Sequence, residues 1–93
     1  FKGIEVDDAR KQVAISGKEV SLTSAEYQLL VFLMSSPGNV YTRGQIVNSI
    51  KGQNHAVTDR SVDTQVVSLR RKMGEKGKLI ETVWGVGYKF KDD

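Results

Sequence analysis

Between Asp59 and Met73 the chain reads DRSVDTQVVSLRRKM, and a helical period sorts its cations and hydrogen-bonding groups onto one side. At 100° per residue, Arg60, Thr64, Val67, Ser68 and Arg71 share a face, with Asp63, Gln65 and Arg70 on its flanks. The chemistry such a face can do is recognition of a duplex. Arg60 and Arg71 can displace counterions from phosphates, which positions a protein without specifying sequence. Gln65 can offer a donor and an acceptor to adenine, Asp63 can accept from cytosine N4, and the Thr64 methyl or Val67 can touch a thymine methyl. Each residue also has a plainer use. Asp63, three residues after Arg60, can pair with it on the helix surface. Arg70 can form an intramolecular salt bridge, and Arg71 and Lys72 suit the C-terminal end of a helix dipole.

Other chemistries are poorly served. His55 is the sole histidine, there is no cysteine, and no carboxylate pair is set among apolar residues. The inventory therefore predicts no enzyme, no metal and no cofactor. Gly85-Val86-Gly87 is followed by Tyr88-Lys89-Phe90 instead of a third glycine and a helix, so it does not read as a dinucleotide loop. Trp84, beside it, is a large apolar surface at a turn, available for core packing or for a DNA or dimer contact.

The elements that must hold the basic face follow from periodicity. Val62, Val66, Leu69 and Met73 recur at i, i+4, i+7 and i+11, a single apolar stripe that needs a core to rest on. Ahead of it, Ile4 with Val6, Val13 with Ile15, and Val20 with Leu22 alternate with polar residues as three strands of an antiparallel meander. Thr23-Ser24-Ala25-Glu26 is a capping box opening a core helix that ends at Ser35-Ser36-Pro37-Gly38. Asn39-Val40-Tyr41 is long enough only for a bridge. Thr42-Arg43-Gly44-Gln45 repeats the box and starts a second helix ending near Lys51-Gly52, and Gly52 to Val57 is a polar loop. Thr58 or Asp59 can cap the third helix. Gly74 to Lys78 breaks it, and Leu79 to Lys91 reads as a closing hairpin turning at Trp84-Gly85-Val86-Gly87. The predicted class is α+β: a winged helix-turn-helix with an N-terminal antiparallel sheet (1–22), a three-helix core (23–73) and a C-terminal β-hairpin wing (79–91).

Ninety-three residues make one domain, able to bury on the order of 65% of its unfolded surface. With 39% hydrophobic and 27% charged residues the composition is that of a soluble globule. No apolar run approaches the roughly 20 residues of a spanning helix, and no signal peptide is visible, so the chain reads as cytosolic with no membrane partner. The net charge of +3 is unevenly placed: residues 1–50 balance five Lys/Arg against five Asp/Glu, whereas 51–93 carry nine against six. The whole excess lies in the half that holds the candidate face, which fits an anionic partner.

Taken in order, Thr23-Ser24-Ala25-Glu26 with Leu29-Leu30, then Tyr41-Thr42-Arg43, Asp59-Arg60-Ser61-Val62-Asp63, Leu69-Arg70-Arg71-Lys72 and Thr82-Val83-Trp84-Gly85-Val86-Gly87-Tyr88 resemble the C-terminal effector domain of OmpR/PhoB-class bacterial response regulators. The likeness spans nearly the whole chain. It implies a sequence-specific transcription regulator in a two-component phosphorelay, with a phosphorylated receiver domain before Phe1. It also implies that Asp63, Thr64, Gln65 and Ser68 face base edges and that Arg60 and Arg70 lie near phosphates. Thr82 and Tyr88 match phosphate contacts of the hairpin, and Lys51 stands where relatives often place an aromatic on the DNA backbone. Many relatives carry at Trp84 an arginine that enters the minor groove. The resemblance further implies that the loop Gly52, Gln53, Asn54, His55, Ala56 and Val57 can touch RNA polymerase. The domain would be monomeric alone and pair on tandem half-sites of double-stranded DNA. A winged helix used for protein–protein or RNA contact is the alternative, but a protein-docking face would expose a contiguous apolar patch in place of this basic one.

Overall fold

The computed structural model describes residues 3–50 and 59–92. Expectations for Lys51, for Gly52 through Val57 and for the cap of the third helix lie outside the described residues. Three short strands come first: β1 (Ile4–Asp7), β2 (Gln12–Ile15) and β3 (Lys18–Val20), antiparallel in that order with Ile4 opposite Ile15 and Val13 opposite Val20. Ile4, Val13 and Ile15 face the core. The alternation predicts Val6 inside as well, yet it is 38% exposed while its cross-strand partner Val13 is buried. β3 stops at Val20, and half-buried Leu22 leads into the first helix.

Helix α1 (Ser24–Met34) opens with the expected capping box: Glu26 N–H donates to Thr23 Oγ1 at 3.1 Å, and Thr23 N–H donates to Glu26 Oε1 at 2.9 Å. Strand β4 (Val40–Thr42) follows, then α2 (Arg43–Ser49), whose Thr42–Gln45 box is closed in the same way. Helix α3 (Asp59–Met73) continues into a 3-10 turn (Gly74–Leu79), and β5 (Ile80–Val83) and β6 (Gly87–Phe90) form the hairpin. The segment at Val40 is more than a bridge. It pairs with β6, Tyr41 opposite Tyr88 and Thr42 opposite Gly87, so the wing belongs to a three-stranded sheet of order β4-β6-β5. Gly87 permits this, since a Cβ there would stand 1.9 Å from the Tyr41 carbonyl oxygen.

The core gathers Leu29, Leu30 and Leu33 of α1, Ile46 of α2, the α3 stripe, and Ile80, Tyr88 and Phe90 of the second sheet. Val62, Val66 and Leu69 are fully buried and Met73 is 3% exposed, as the period of the stripe requires. Among the described residues no helix is long and apolar enough to cross a membrane.

Among the described residues one charged side chain sits in this core. Glu26 is 2% exposed, and beyond capping α1 it binds α3: Oε1 accepts from Lys72 Nζ at 2.7 Å and Oε2 accepts from Ser68 Oγ. Ser68 and Lys72 lie one helical turn apart, so the carboxylate grips two successive turns of α3. Burial pushes the Glu26 carboxyl up, but the hydrogen bonds from Lys72, Ser68 and the Thr23 backbone outweigh it and leave the pKa below the ordinary glutamate value. A carboxyl whose pKa falls on folding stabilises the fold fully above its unfolded pKa, and that stability is lost as pH drops through the folded value. Glu26→Gln keeps an acceptor for the cap but removes the charge. Urea denaturation at neutral pH should show a loss of about 1.5–3 kcal/mol, with a flatter decline of stability on acidification than in the parent. Identical acid limbs in the two proteins would exclude Glu26 as the group responsible.

Candidate nucleic-acid interface

With the apolar stripe turned inward, the opposite side of α3 faces outward. Arg60, Thr64 and Arg71 are exposed, Val67 is 53% exposed, and Gln65 and Ser68 are half-buried. Asp63, Thr64, Val67, Ser68 and Arg71 line one shallow depression in the surface, with Arg60 and Gln65 outside it. Among the described residues neither Arg60 nor Arg71 has an ion-pair partner.

The flanking charges are placed differently. Asp63 does not pair with Arg60; it accepts from Arg43 Nε at 2.8 Å and from the Tyr88 hydroxyl, both on Oδ1. The reason is reach: Arg43, first residue of α2, and Tyr88, in the middle of β6, both converge on the side of α3 where Asp63 projects. Among the described residues Arg70 makes no salt bridge either. Its guanidinium donates from Nε to the Ile80 carbonyl at 2.9 Å and from Nη2 to Thr82 Oγ1 at 2.9 Å. The Tyr88 ring lies beside both cations, 6.0 Å from the Arg43 guanidinium and 5.7 Å from that of Arg70. A continuous polar chain therefore joins α2, α3, β5 and β6.

These contacts set the local electrostatics. Hydrogen bonds from Arg43 and then Tyr88 hold the Asp63 carboxyl below the usual aspartate range. Burial first, and Asp63 second, push the Tyr88 phenol up. Thr82 and Tyr88, sequence candidates for phosphate contact, are thus engaged inside the protein, Tyr88 being 6% exposed.

At the wing tip Val86 N–H donates to the Val83 carbonyl at 2.9 Å, and Gly85 takes φ +80°, the left-handed geometry a type II turn requires at its third residue. This turn carries Trp84 into solvent at 89% exposure, so core packing is not its role.

The domain family described as "Transcriptional regulatory protein, C terminal" matches residues 17–90. The chain belongs to this family. Among its relatives, the transcriptional regulatory protein VxrB of Vibrio cholerae is 43% identical over 88 residues, covering 95% of this chain and 35% of that protein. SrrA of Staphylococcus aureus is 39% identical over 94 residues, covering 97% and 39%. The chain thus spans little more than a third of the length of these curated relatives. The DNA-binding domain of the response regulator AdeR, solved in complex with an intercistronic region, superposes with a TM-score of 0.87 at 34% identity, covering 100% of this chain and 98% of that one. DrrB of Thermotoga maritima, described as an OmpR/PhoB homolog, gives 0.82 at 29% identity over 99% of this chain and 43% of its own. This chain is accordingly a winged-helix domain of the OmpR/PhoB response-regulator type, the fold of the DNA-binding domains on which it superposes.

Sequence reading missed Arg43 and the second role of Glu26 in this effector domain. Asp63 is 20 residues from Arg43, and Glu26 is 42 and 46 residues from Ser68 and Lys72, so no helical or strand period links them. Asp63→Asn should move the Tyr88 phenol pKa down toward the ordinary tyrosine value while burial keeps it raised, as followed by NMR of the tyrosine ring carbons during titration. An unmoved Tyr88 titration would show that the Asp63 carboxylate does not govern that hydroxyl.

Proposed function

We propose that this domain reads double-stranded DNA by laying α3 in the major groove, with the wing on the backbone or minor groove. The observation that supports this best is the outward face of α3, where Arg60 and Arg71 stand without ion-pair partners among the described residues beside Thr64, Gln65, Val67 and Ser68. In this reading Arg60 and Arg71 meet phosphates, and Thr64, Gln65, Val67 and Ser68 meet base edges. Asp63 spends Oδ1 on Arg43 and Tyr88, and its Oδ2 serves as acceptor for a cytosine amino group. Lys51, Thr82 and Tyr88 border the phosphate track. Trp84, flanked by Gly85 and Gly87, meets the groove by contact area, having no charge. The reading assigns no catalytic step.

For the whole protein we propose a receiver domain preceding this chain, action in the cytoplasm, and monomers that pair on tandem half-sites. The loop Gly52 to Val57 is assigned to RNA polymerase. The AdeR domain caught on an intercistronic region lends support by likeness of fold.

Fluorescence anisotropy on duplexes selected from a random pool tests the DNA reading. Affinity should fall linearly in log-log plots against salt, with a slope near −0.9 for each phosphate neutralised. Arg60→Ala should weaken all sequences alike, whereas Gln65→Ala should relax preference at one base pair by about 1–3 kcal/mol. Binding indifferent to salt would remove phosphate anchoring altogether. Separately, neutral replacements within Gly52 to Val57 should leave DNA affinity intact and lower transcription in a reconstituted assay. A fall in affinity would assign that loop to the DNA surface instead.

A further inference from the structure

Arg70 stands on α3 beside the residues proposed above to meet DNA, yet its planar fork is turned to the protein. Nε and Nη2 are both spent on β5, at the Ile80 carbonyl and the Thr82 hydroxyl. The guanidinium also lies 5.7 Å from the Tyr88 ring centroid on β6, and the Tyr88 hydroxyl returns to Asp63 on α3. Two residues of α3, seven positions apart, therefore grip both strands of the wing hairpin, and Thr82 and Tyr88 are themselves cross-strand partners. A fork of this shape fixes distance and orientation together, which a single ammonium cannot do. Among the described residues no side chain holds the hairpin tip in this way, and Trp84 there is 89% and Val86 48% exposed.

We infer that Arg70 is a positioning residue: it sets the angle between wing and recognition helix so that both reach one duplex, and it acts through β5 and β6 without touching a phosphate. This inference rests on the DNA-binding reading above. Two cations on one helix thereby divide the work. Arg71, pointing outward with no internal partner among the described residues, supplies charge, while Arg70 supplies geometry.

The test compares Arg70→Lys, Arg70→Gln and Arg71→Ala with the parent, using a fluorescein-labelled duplex recovered by selection and, for the free proteins, the anisotropy of Trp84, the sole tryptophan. Arg70→Lys keeps the charge and loses the fork. It should bind about tenfold more weakly, a change of about 1.4 kcal/mol, with the parental salt slope, and Trp84 anisotropy should fall without DNA. Arg70→Gln should match it in all three readouts. Arg71→Ala should instead reduce the slope by about 0.9 and leave Trp84 unchanged. Thermal melts of each variant establish that it is folded at the assay temperature, and Arg70→Lys alone suffices if Arg70→Gln is not. Parental affinity in Arg70→Lys, or a reduced slope in Arg70→Gln, would overturn the inference and make Arg70 a phosphate contact. If the parent itself binds no duplex, the DNA reading fails. The Trp84 arm then still decides whether Arg70 holds the wing, an unchanged anisotropy counting against it.

Discussion

The rotation of α3 about its own axis is the constraint on which the rest of this domain depends. Burial of Val62, Val66, Leu69 and Met73 fixes it, each fully buried apolar side chain contributing about 1.5–3 kcal/mol relative to exposure. A turn of one residue would carry Asp63, Val67 and Arg70 inward and the stripe partly outward. Two unpaired charges would then meet the core, at a cost of several kcal/mol each. The helix has one low-energy setting, and that setting puts Thr64 and Arg71 in solvent. Glu26 adds a directional term to this non-directional one. Apolar contact resists rotation but tolerates small slides along the axis, whereas a carboxylate bonded to Ser68 and Lys72 registers α3 lengthwise against α1.

Around that fixed helix the charges fall into two groups. Glu26, Asp63 and Arg70 are bonded within the protein; Arg60 and Arg71 have no ion-pair partner among the described residues. The Arg43–Asp63 pair is nearly half exposed on both sides, 42% and 46%, so solvent screens it and its net stabilisation is small. Its importance is geometric. Together with Tyr88 it links the start of α2 to α3 and β6, so the helix-turn-helix and the wing share one frame.

How much of this could be read from the sequence follows from the range of each interaction. The two capping boxes are four-residue signals, and both are closed as their residue types dictate. The α3 stripe spans about three turns of one period, and its bounds emerge from the residues alone. Strand ends were less legible: Val6 alternates correctly, but whether a helix covers it depends on distant packing. β4 looked like a bridge because Val40 to Thr42 is short; pairing with Gly87, where a side chain would collide, makes it a strand. Side-chain partners were the least legible. Period alone puts Asp63 and Arg70 at the edges of the outward face, and their use is settled by Arg43, Tyr88, Ile80 and Thr82, which arrive from elements 10 to 25 residues away. An arginine beside an apolar stripe can turn outward or back, and only the facing strand decides which.

In the proposed DNA reading, an indole at the wing tip alters what the wing can contribute to binding. A guanidinium there would add to counterion release, whereas Trp84 adds contact area and a ring face without changing charge. The nearest wing cation, Lys89, stands 3.7 Å from the Glu81 carboxylate on the neighbouring strand, so its charge is largely balanced. Of the cations placed on α3 and the wing, Arg70 is turned to β5 and Lys72 to Glu26. In the proposed DNA reading, the salt-dependent part of binding carried by α3 then falls on Arg60 and Arg71, at opposite ends of the outward face and three helical turns apart. Charges separated in this way would anchor a helix along a groove and oppose tilting, which in that reading leaves the uncharged residues between them to discriminate among bases.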